Sequence, residues 1–385
     1  MSCETGSIIR GHPRMEETPW EDHPRCLEAR LNGSIQAVNP LDEPGWDAMV
    51  LTHPGYTFFQ SRAWAQVLHR TYGFQPVYFT ARDGNRLLAQ LPVMEVKSWL
   101  TGRRGVSLPF TDVCPPLTSD PILFPALLGE VKKYGASRRW KYLEWRGSGS
   151  HFGIENPGRE PAALVPSLSF HGHVIRLAQS KDSLFQRFDS GVCRAIRKAE
   201  RAGVKGEIAN DLASVRVFYS LHCQTRRRHG LPPQPFSFFE NIHREILSKN
   251  LGFVSLAKYR EKPIAAAIFF HFGQKAVYKY GASDEGYQQW RGNNQAMWEA
   301  IQWYSRHGFD ELHLGRTSLA NEGLRRFKLG WAAQEHRIEY FRFDFSTQTM
   351  AAERDEVYGW HNRIFRVLPI ALSRLLGMLL YKHMA

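Results

Sequence analysis

The chain has 385 residues, with 50 Lys and Arg against 37 Asp and Glu, for a formal net charge of +13. Hydrophobic residues at 43% and aromatics at 13% exclude a disordered chain, and the length exceeds one ordinary core, which points to two domains with appendages. Five widely spaced cysteines with no CxxC pair argue against a disulfide framework or a zinc site.

In chain order, residues 1–35 are polar and punctuated by Pro and Gly, and read as a loose tail with no apolar core of the signal-peptide kind. A first domain is expected over 36–165. It opens with the strand SIQAV and the turn NPLDEPG, followed by a helix in which Trp64, Val67 and Leu68 recur at helical spacing. PVYFTARDGNRLLAQLPVMEV reads as a hairpin across Asp83, Gly84 and Asn85. The helix PALLGEVKKYGA and the strand KYLEWRG complete the unit.

A second domain over 166–348 repeats this grammar. Strand HVIRLA leads into DSLFQRFDSGVCRAIRKAERAG, read as one helix ended by Gly203. Two more helices and three strands follow, the first two strands joined across Arg260, Glu261, Lys262 and Pro263. The expected fold is α+β, with two tandem domains of one type, each a mixed sheet flanked by helices. Residues 349–385 form an appended tail. There Arg363, Arg366 and Arg374 fall opposite Ile364, Leu368, Leu372, Leu375, Leu376 and Leu379, a basic amphipathic helix interrupted at Pro369. Such a helix either docks on the protein's own core or lies in an anionic membrane interface, where each basic residue contributes about 1 kcal/mol. It is too short to span.

Four places carry candidate chemistry. Gly292, Asn293 and Asn294 lie in a loop between a strand and a helix, where backbone N–H groups at a helix N-terminus suit a phosphate. Arg194, Arg197, Lys198 and Arg201 share one helix face, and Arg226 to Arg228 with His229 form a second basic cluster, so each is either a solvated face or a phosphate site. Tyr280 and Asp284, at a strand end, suit orientation of an amine or hydroxyl, or a structural turn. Among sixteen histidines, His171 and His173 flank a glycine at the domain junction, no HExxH motif occurs and no metal site is expected; neither a GxSxG motif nor a reactive-cysteine context appears.

The order strand, Gly/Asn loop, helix, strand over 277–318 resembles the nucleotide-loop region of GNAT-fold acyltransferases; Gln289 and Gly292 match the Q/R-x-x-G-x-G/A pattern, with Asn294 in place of the last small residue. The following GRTSLANEGLRRFKLGW resembles more narrowly the FemAB family of aminoacyl and acyl transferases, through Gly315, Arg316, Thr317, Gly323, Phe327, Lys328 and Trp331, with Ala332 where that family often has Gly. The RAIRKA helix and TRRRHGLPP are similar to segments of the same family. The resemblance implies tandem GNAT-like domains and catalysis in the second. Lys328 would face the reacting carbonyl or a substrate phosphate, Phe327 would shape the pocket, and Arg194, Arg197, Lys198, Arg228 and Arg316 would bind phosphates. Asp112 falls where that family carries a pocket loop and receives no role. A fixed cation aimed at an oxyanion is a strong catalytic device whatever the family.

The implied activity is transfer of an acyl or aminoacyl group to an amine or hydroxyl of a cell-envelope precursor, peptidoglycan or exopolysaccharide. The co-substrate would be acyl-CoA or aminoacyl-tRNA, with no tightly bound cofactor. No charged heptad insertion of the kind that contacts tRNA is visible, which sets the tRNA acceptor end against CoA as donor partner. Alternatives are an acyl-CoA-dependent N- or O-acetyltransferase of a polysaccharide, and a non-catalytic protein binding RNA or anionic lipid. The expected location is the cytoplasm, at the inner face of its membrane if the tail docks there.

Overall fold

The computed structural model describes residues 35–120, 123–147, 164–177, 181–352 and 365–384. The expected tail before Ile35 and, of the C-terminal amphipathic helix, Arg363 and Ile364 lie outside the described residues.

The first half contains β1 (Gln36–Val38), α1 (Trp46–Leu51), α2 (Arg62–Tyr72), the hairpin β2 (Gln75–Asp83) and β3 (Arg86–Ser98), β4 (Gly102–Val106), β5 (Leu117–Thr118), α3 (Leu123–Ser137) and β6 (Tyr142–Arg146). Helix α2 begins where the Ser61 side chain accepts from Trp64 N–H and ends at Gly73, whose φ of 72° only glycine adopts cheaply. The second half holds β7 (Leu168–Arg176), α4 (Lys181–Arg187), α5 (Ser190–Arg201), β8 (Val204–Ala209), α6 (Leu212–Arg228), α7 (Phe236–Glu245), β9 (Gly252–Tyr259), β10 (Lys262–Phe272), β11 (Lys275–Ser283), α8 (Gly292–Arg306), β12 (Glu311–Ser318), α9 (Glu322–Leu329) and β13 (Gln334–Asp344). Strand β14 (Thr349–Met350) and helix α10 (Ile370–Leu380) follow.

The helix read as one over 182–203 is two. Asp189 ends the first turn of chain and caps the second, its carboxylate accepting from Gly191 N–H, as short acids do at an N-cap. Arg260 and Glu261 both take positive φ (48° and 62°), the tight hairpin geometry whose twist matches the flanking strands.

The two halves share one sheet, ordered β1-β2-β3-β4-β6-β13-β7-β12-β11-β10-β9-β8. Strand β13 is the seam: Tyr340–Asp344 pair with β6, and Gln334–Tyr340 pair with β7. Two neighbouring pairs run parallel, β4 with β6 and β11 with β12, one in each half. Strand β10 reads Ile-Ala-Ala-Ala-Ile-Phe-Phe, buried throughout, because α8 covers one face and α6 the other.

The main core also crosses the halves. Phe58 stacks on Phe270 at 4.7 Å between centroids, and Trp64 meets Phe238 edge-on at 6.1 Å. Trp64 is fully buried and donates its indole N–H to Thr111 Oγ1 at 2.9 Å. Trp64→Ala removes that bond and leaves a large void, so denaturant unfolding followed by circular dichroism should register a loss of about 3–5 kcal/mol; a loss under about 1 kcal/mol would mean the halves do not depend on this shared core.

Candidate active site

Strands β11 and β12 pair only through Lys275–Glu311, Ala276–Leu312 and Val277–His313. Beyond that point they part. Strand β11 stays with β10, β12 stays with β7, and each carries a bulge at the parting. On β11, Tyr278 and Tyr280 face consecutive residues of β10, so Lys279 is the extra residue. On β12 the register slips between His313 and Arg316, and Gly315 there has a φ of 71°. The two bulges hold open a fork at the end of a parallel pair.

Bulging Lys279 places its ammonium, with its side chain 4% exposed, against Asp112 of the first half at 2.9 Å. Burial opposes ionisation of Asp112, but Lys279, Arg316 and Lys328 outweigh it and hold the carboxyl below its usual range. Burial pulls Lys279 below its usual value even though Asp112 opposes the shift. Tyr340 donates its hydroxyl to Asp112 O at 2.6 Å and Arg146 donates to Thr111 O at 3.0 Å, fixing the loop that delivers the carboxylate. The Arg316 guanidinium lies over the rings of Phe170 and Tyr340 at 4.3 and 5.2 Å.

Lys328 belongs to helix α9 and not to a strand end. Asn321 caps that helix by accepting from Leu324 N–H. Lys328 is 3% exposed, and its Nζ donates to Gly315 O and Arg316 O, both at 3.0 Å, carbonyls of the β12 bulge. A protonated amine has a third N–H beyond these two bonds. Burial draws the Lys328 amine down to about 8, against the pull of Asp112 and with the push of Arg316 and Lys279. Just past the helix, Ala332 has a φ of 55°, which accounts physically for a glycine preference at that position.

On the other side of α9 lies a cleft of about 740 Å³ lined by Arg194, Lys198, Arg291, Asn294, Arg326 and Phe327. It sits where α5 and α8 begin. No side chain caps the first turn of α8, whose N-cap Arg291 is held at a φ of 58°. Backbone N–H groups and four cations therefore converge on one concavity, the arrangement that suits a polyphosphate.

The sequence candidates divide between these places. Lys328 and Arg316 reach the fork; Arg194, Lys198, Asn294 and Phe327 line the cleft. Gly292 serves packing, since a Cβ there would lie 3.0 Å from Ile264. Asn293 donates to Ser283 Oγ at 3.3 Å. Arg197 covers the Phe185 ring at 5.2 Å, and Arg228 does not line the cleft. Asp284 caps the turn Glu285–Trp290 by accepting from Gly286 N–H, and pairs with Lys262 at 3.3 Å. The Tyr280 hydroxyl is buried among Phe218, Phe238 and Phe239 with no hydrogen-bond partner, and burial holds it protonated.

Sequence reading missed Lys279, Arg291, Arg326 and His313. A lysine between two tyrosines in an otherwise apolar strand was the available signal for Lys279. His313 accepts from Gly315 N–H at its Nδ1 (2.9 Å), which puts the neutral ring's proton on Nε2. That Nε2 has no hydrogen-bond partner, and the residue lines a second cavity, of about 760 Å³, between the halves. Arg86, Arg176, Lys275, Arg337 and His336 line the same cavity. Burial takes His313 down to about 3, with His336 adding to the shift, so the imidazole is neutral at physiological pH.

Residues 186–342 match the family described as Acetyltransferase (GNAT) domain. No curated protein matches the chain by sequence. Among solved structures it is similar to FemX, with 15% identity over 78% of this chain and 96% of that chain and a TM-score of 0.61. It is also similar to L-PGS from Bacillus licheniformis, with 12% identity over 88% of this chain and 97% of that chain and a TM-score of 0.50. Identities this low speak to fold. With the family match spanning both the strand fork and the cationic cleft, the chain carries a GNAT acetyltransferase domain and is FemAB-like in its fold.

Proposed function

We propose that this protein is an acyl- or aminoacyltransferase whose reacting centre is the strand fork, with residues 166–348 as the catalytic unit and 36–165 supplying Asp112. The observation that carries the reading is Lys328, a buried amine with one donor to spare, set between an open fork and a cleft built for phosphates. The phosphate-bearing part of the co-substrate would occupy the cleft, against Arg194, Lys198, Arg291 and Arg326. Its carbonyl would lie in the fork. An amine or hydroxyl of a cell-envelope precursor would enter from the cavity between the halves, where Glu311 pairs with Arg176 and Lys275 and the remaining excess of positive charge, with Arg86 and Arg337, favours an anionic acceptor. Attack forms a tetrahedral oxyanion to which Lys328 donates a hydrogen bond; collapse breaks the bond from the carbonyl carbon to the donor's sulfur or ribose oxygen, and the proton lost by the nucleophile ends on that departing thiolate or alkoxide. Positioning and charge stabilisation supply the rate enhancement, with no covalent enzyme intermediate. The cytoplasm supplies both candidate donors, so the reading places the protein there, at the inner face of the membrane.

Acyl-CoA and aminoacyl-tRNA both present phosphates next to an activated carbonyl. Calorimetry with acetyl-CoA and with a charged tRNA minihelix at two salt concentrations separates them. Saturable binding of one names the donor class. In either case Arg194→Ala with Arg326→Ala should weaken binding by about tenfold or more and flatten its salt dependence. Binding of an anionic polymer without turnover of any acyl donor would overturn the enzymatic reading.

Lys328→Ala should lower kcat by about 10²–10³ with an unchanged circular dichroism spectrum; unchanged turnover would remove Lys328 from the mechanism. Because the folded-state value near 8 lies below the ordinary 10.5, the unfolded chain holds more protons between those limits. This group's contribution to stability therefore rises with pH across that window, while the charge that donates to the oxyanion is lost. Wild-type turnover should fall above about pH 8 without a fall in melting temperature from this group, and the variant should lose that limb of the profile.

A further inference from the structure

Helix α10 buries its narrow face and exposes its wide apolar one. Ser373, Gly377 and Tyr381 point inward at a four-residue repeat. Gly377 lies so close to Pro233 that a Cβ would meet the Pro233 carbonyl oxygen at 2.0 Å. Tyr381 donates to Pro232 O and accepts from Arg226 Nη2 at 2.7 Å. The opposite stripe, Leu372, Leu375, Met378 and Leu379, stays in water, with Leu379 58% exposed. At the end of the helix His383 is held by the tip of the β3–β4 hairpin: Ser98 Oγ lies 2.9 Å from its Nδ1, and Arg104 donates to its carbonyl at 3.0 Å. That tip carries Trp99, 86% exposed and in edge contact with the His383 ring, and Leu100, 57% exposed. Met384, 56% exposed, directly follows His383.

These apolar groups come from segments 270 and more residues apart in sequence (Trp99 and Leu372 onward), yet the fold joins them. Neither 97–104 nor 365–384 contains an Asp or Glu, while the same segments carry Lys97, Arg103, Arg366, Arg374 and Lys382. A second folded copy would need matching acids to satisfy such a rim. An anionic bilayer offers both a hydrocarbon layer for the leucines and Trp99 and phosphates for the cations.

We infer that the exposed stripe of α10 and the Trp99–Leu100 hairpin tip form one composite face that docks on the surface of an anionic membrane. The inference adds a partner to the proposed transferase but does not depend on its donor or chemistry. Trp99 enters the interface beside the helix, and neither element inserts deeply enough to span; no helix among the described residues is long and apolar enough to cross a membrane.

The test is co-sedimentation of the full chain with vesicles of phosphatidylcholine, with and without phosphatidylglycerol. Binding should require phosphatidylglycerol and weaken in high salt. Trp99→Ala and, separately, Leu375→Glu with Leu379→Glu should each reduce it by about tenfold or more, with an unchanged circular dichroism spectrum. Binding that ignores Trp99→Ala would sink the composite face and leave the helix acting alone. Absence of vesicle binding, or a wild-type dimer that the Leu375→Glu, Leu379→Glu variant turns into a monomer, would overturn membrane docking. Acetyl-CoA and minihelix binding in solution, measured on the same variants, leaves the cleft untouched and so separates failure here from failure of the transferase reading.

Discussion

The buried pair Lys279–Asp112 is the constraint on which the candidate site depends. Lys279 is the extra residue of a bulge, and without a counter-charge its ammonium would not stay in so dry a place. The carboxylate comes from the other half of the chain, on a loop in which Leu108 and Phe110 both take positive φ. Removing one member of such a pair typically costs about 3–5 kcal/mol. The bulge that opens the fork is thus conditional on the docking of the two halves, and that docking is in turn supported by Trp64 packing on Phe238 and Phe270 and by Tyr340 donating to Asp112 O. Strand β13, which carries Tyr340, belongs to both sheet halves at once.

Charge at the fork is deliberately unbalanced. Lys279, Lys328 and Arg316 all act on the single carboxylate of Asp112. Burial is what draws Lys328 down to about 8, with Arg316 and Lys279 adding to it, and the surplus positive charge held away from water would make a developing oxyanion favourable there. Helix α9 divides the labour by its geometry. Successive side chains on a helix point about 100° apart, so Arg326 and Phe327 line the cleft while Lys328 turns to the bulge carbonyls of β12. One short helix thereby links the cationic cleft to the strand fork.

Much of the architecture was legible because it rests on local rules. The hairpin at Asp83–Asn85, the turn at Arg260–Glu261, the helix around Trp64 and the strand–loop–helix–strand order over 277–318 all follow from turn chemistry and periodicity. Strand β8 was not read, because Val-Lys-Gly-Glu-Ile-Ala is an edge strand with little apolar signal. The break at Asp189 was missed since its cap competes with an unbroken helical pattern. At the site, the cations at helix starts and the FKLGW lysine were visible, but which of them converge was not. Convergence is set by the two bulges and the sheet seam, and a bulge leaves almost no trace in sequence. Asp112 stood out without a role because its partner lies 167 positions away. Gly292 read as a phosphate glycine, yet its missing side chain serves the packing of α8 on β10.

The surface helix is mechanically tied to the same loop. The Tyr381 ring packs on Phe110 at 5.5 Å, two residues before Asp112, and Phe110 packs in turn on Tyr72 at 5.1 Å. Through Tyr381 the helix also engages Arg226, at the end of the α6 helix whose Phe218 and His222 border Tyr280. Removing the helix would therefore unpack a wall of the Asp112 loop as well as a docking face, and loss of activity in a truncated chain would not distinguish the two. Substitutions on the outward stripe avoid that confusion, because Leu375 and Leu379 lie on the face opposite Tyr381 and Gly377. Tyr381, Phe110 and the carbonyl of Asp112 held by Tyr340 thus form a continuous set of packed contacts from the surface helix to the loop that delivers the carboxylate.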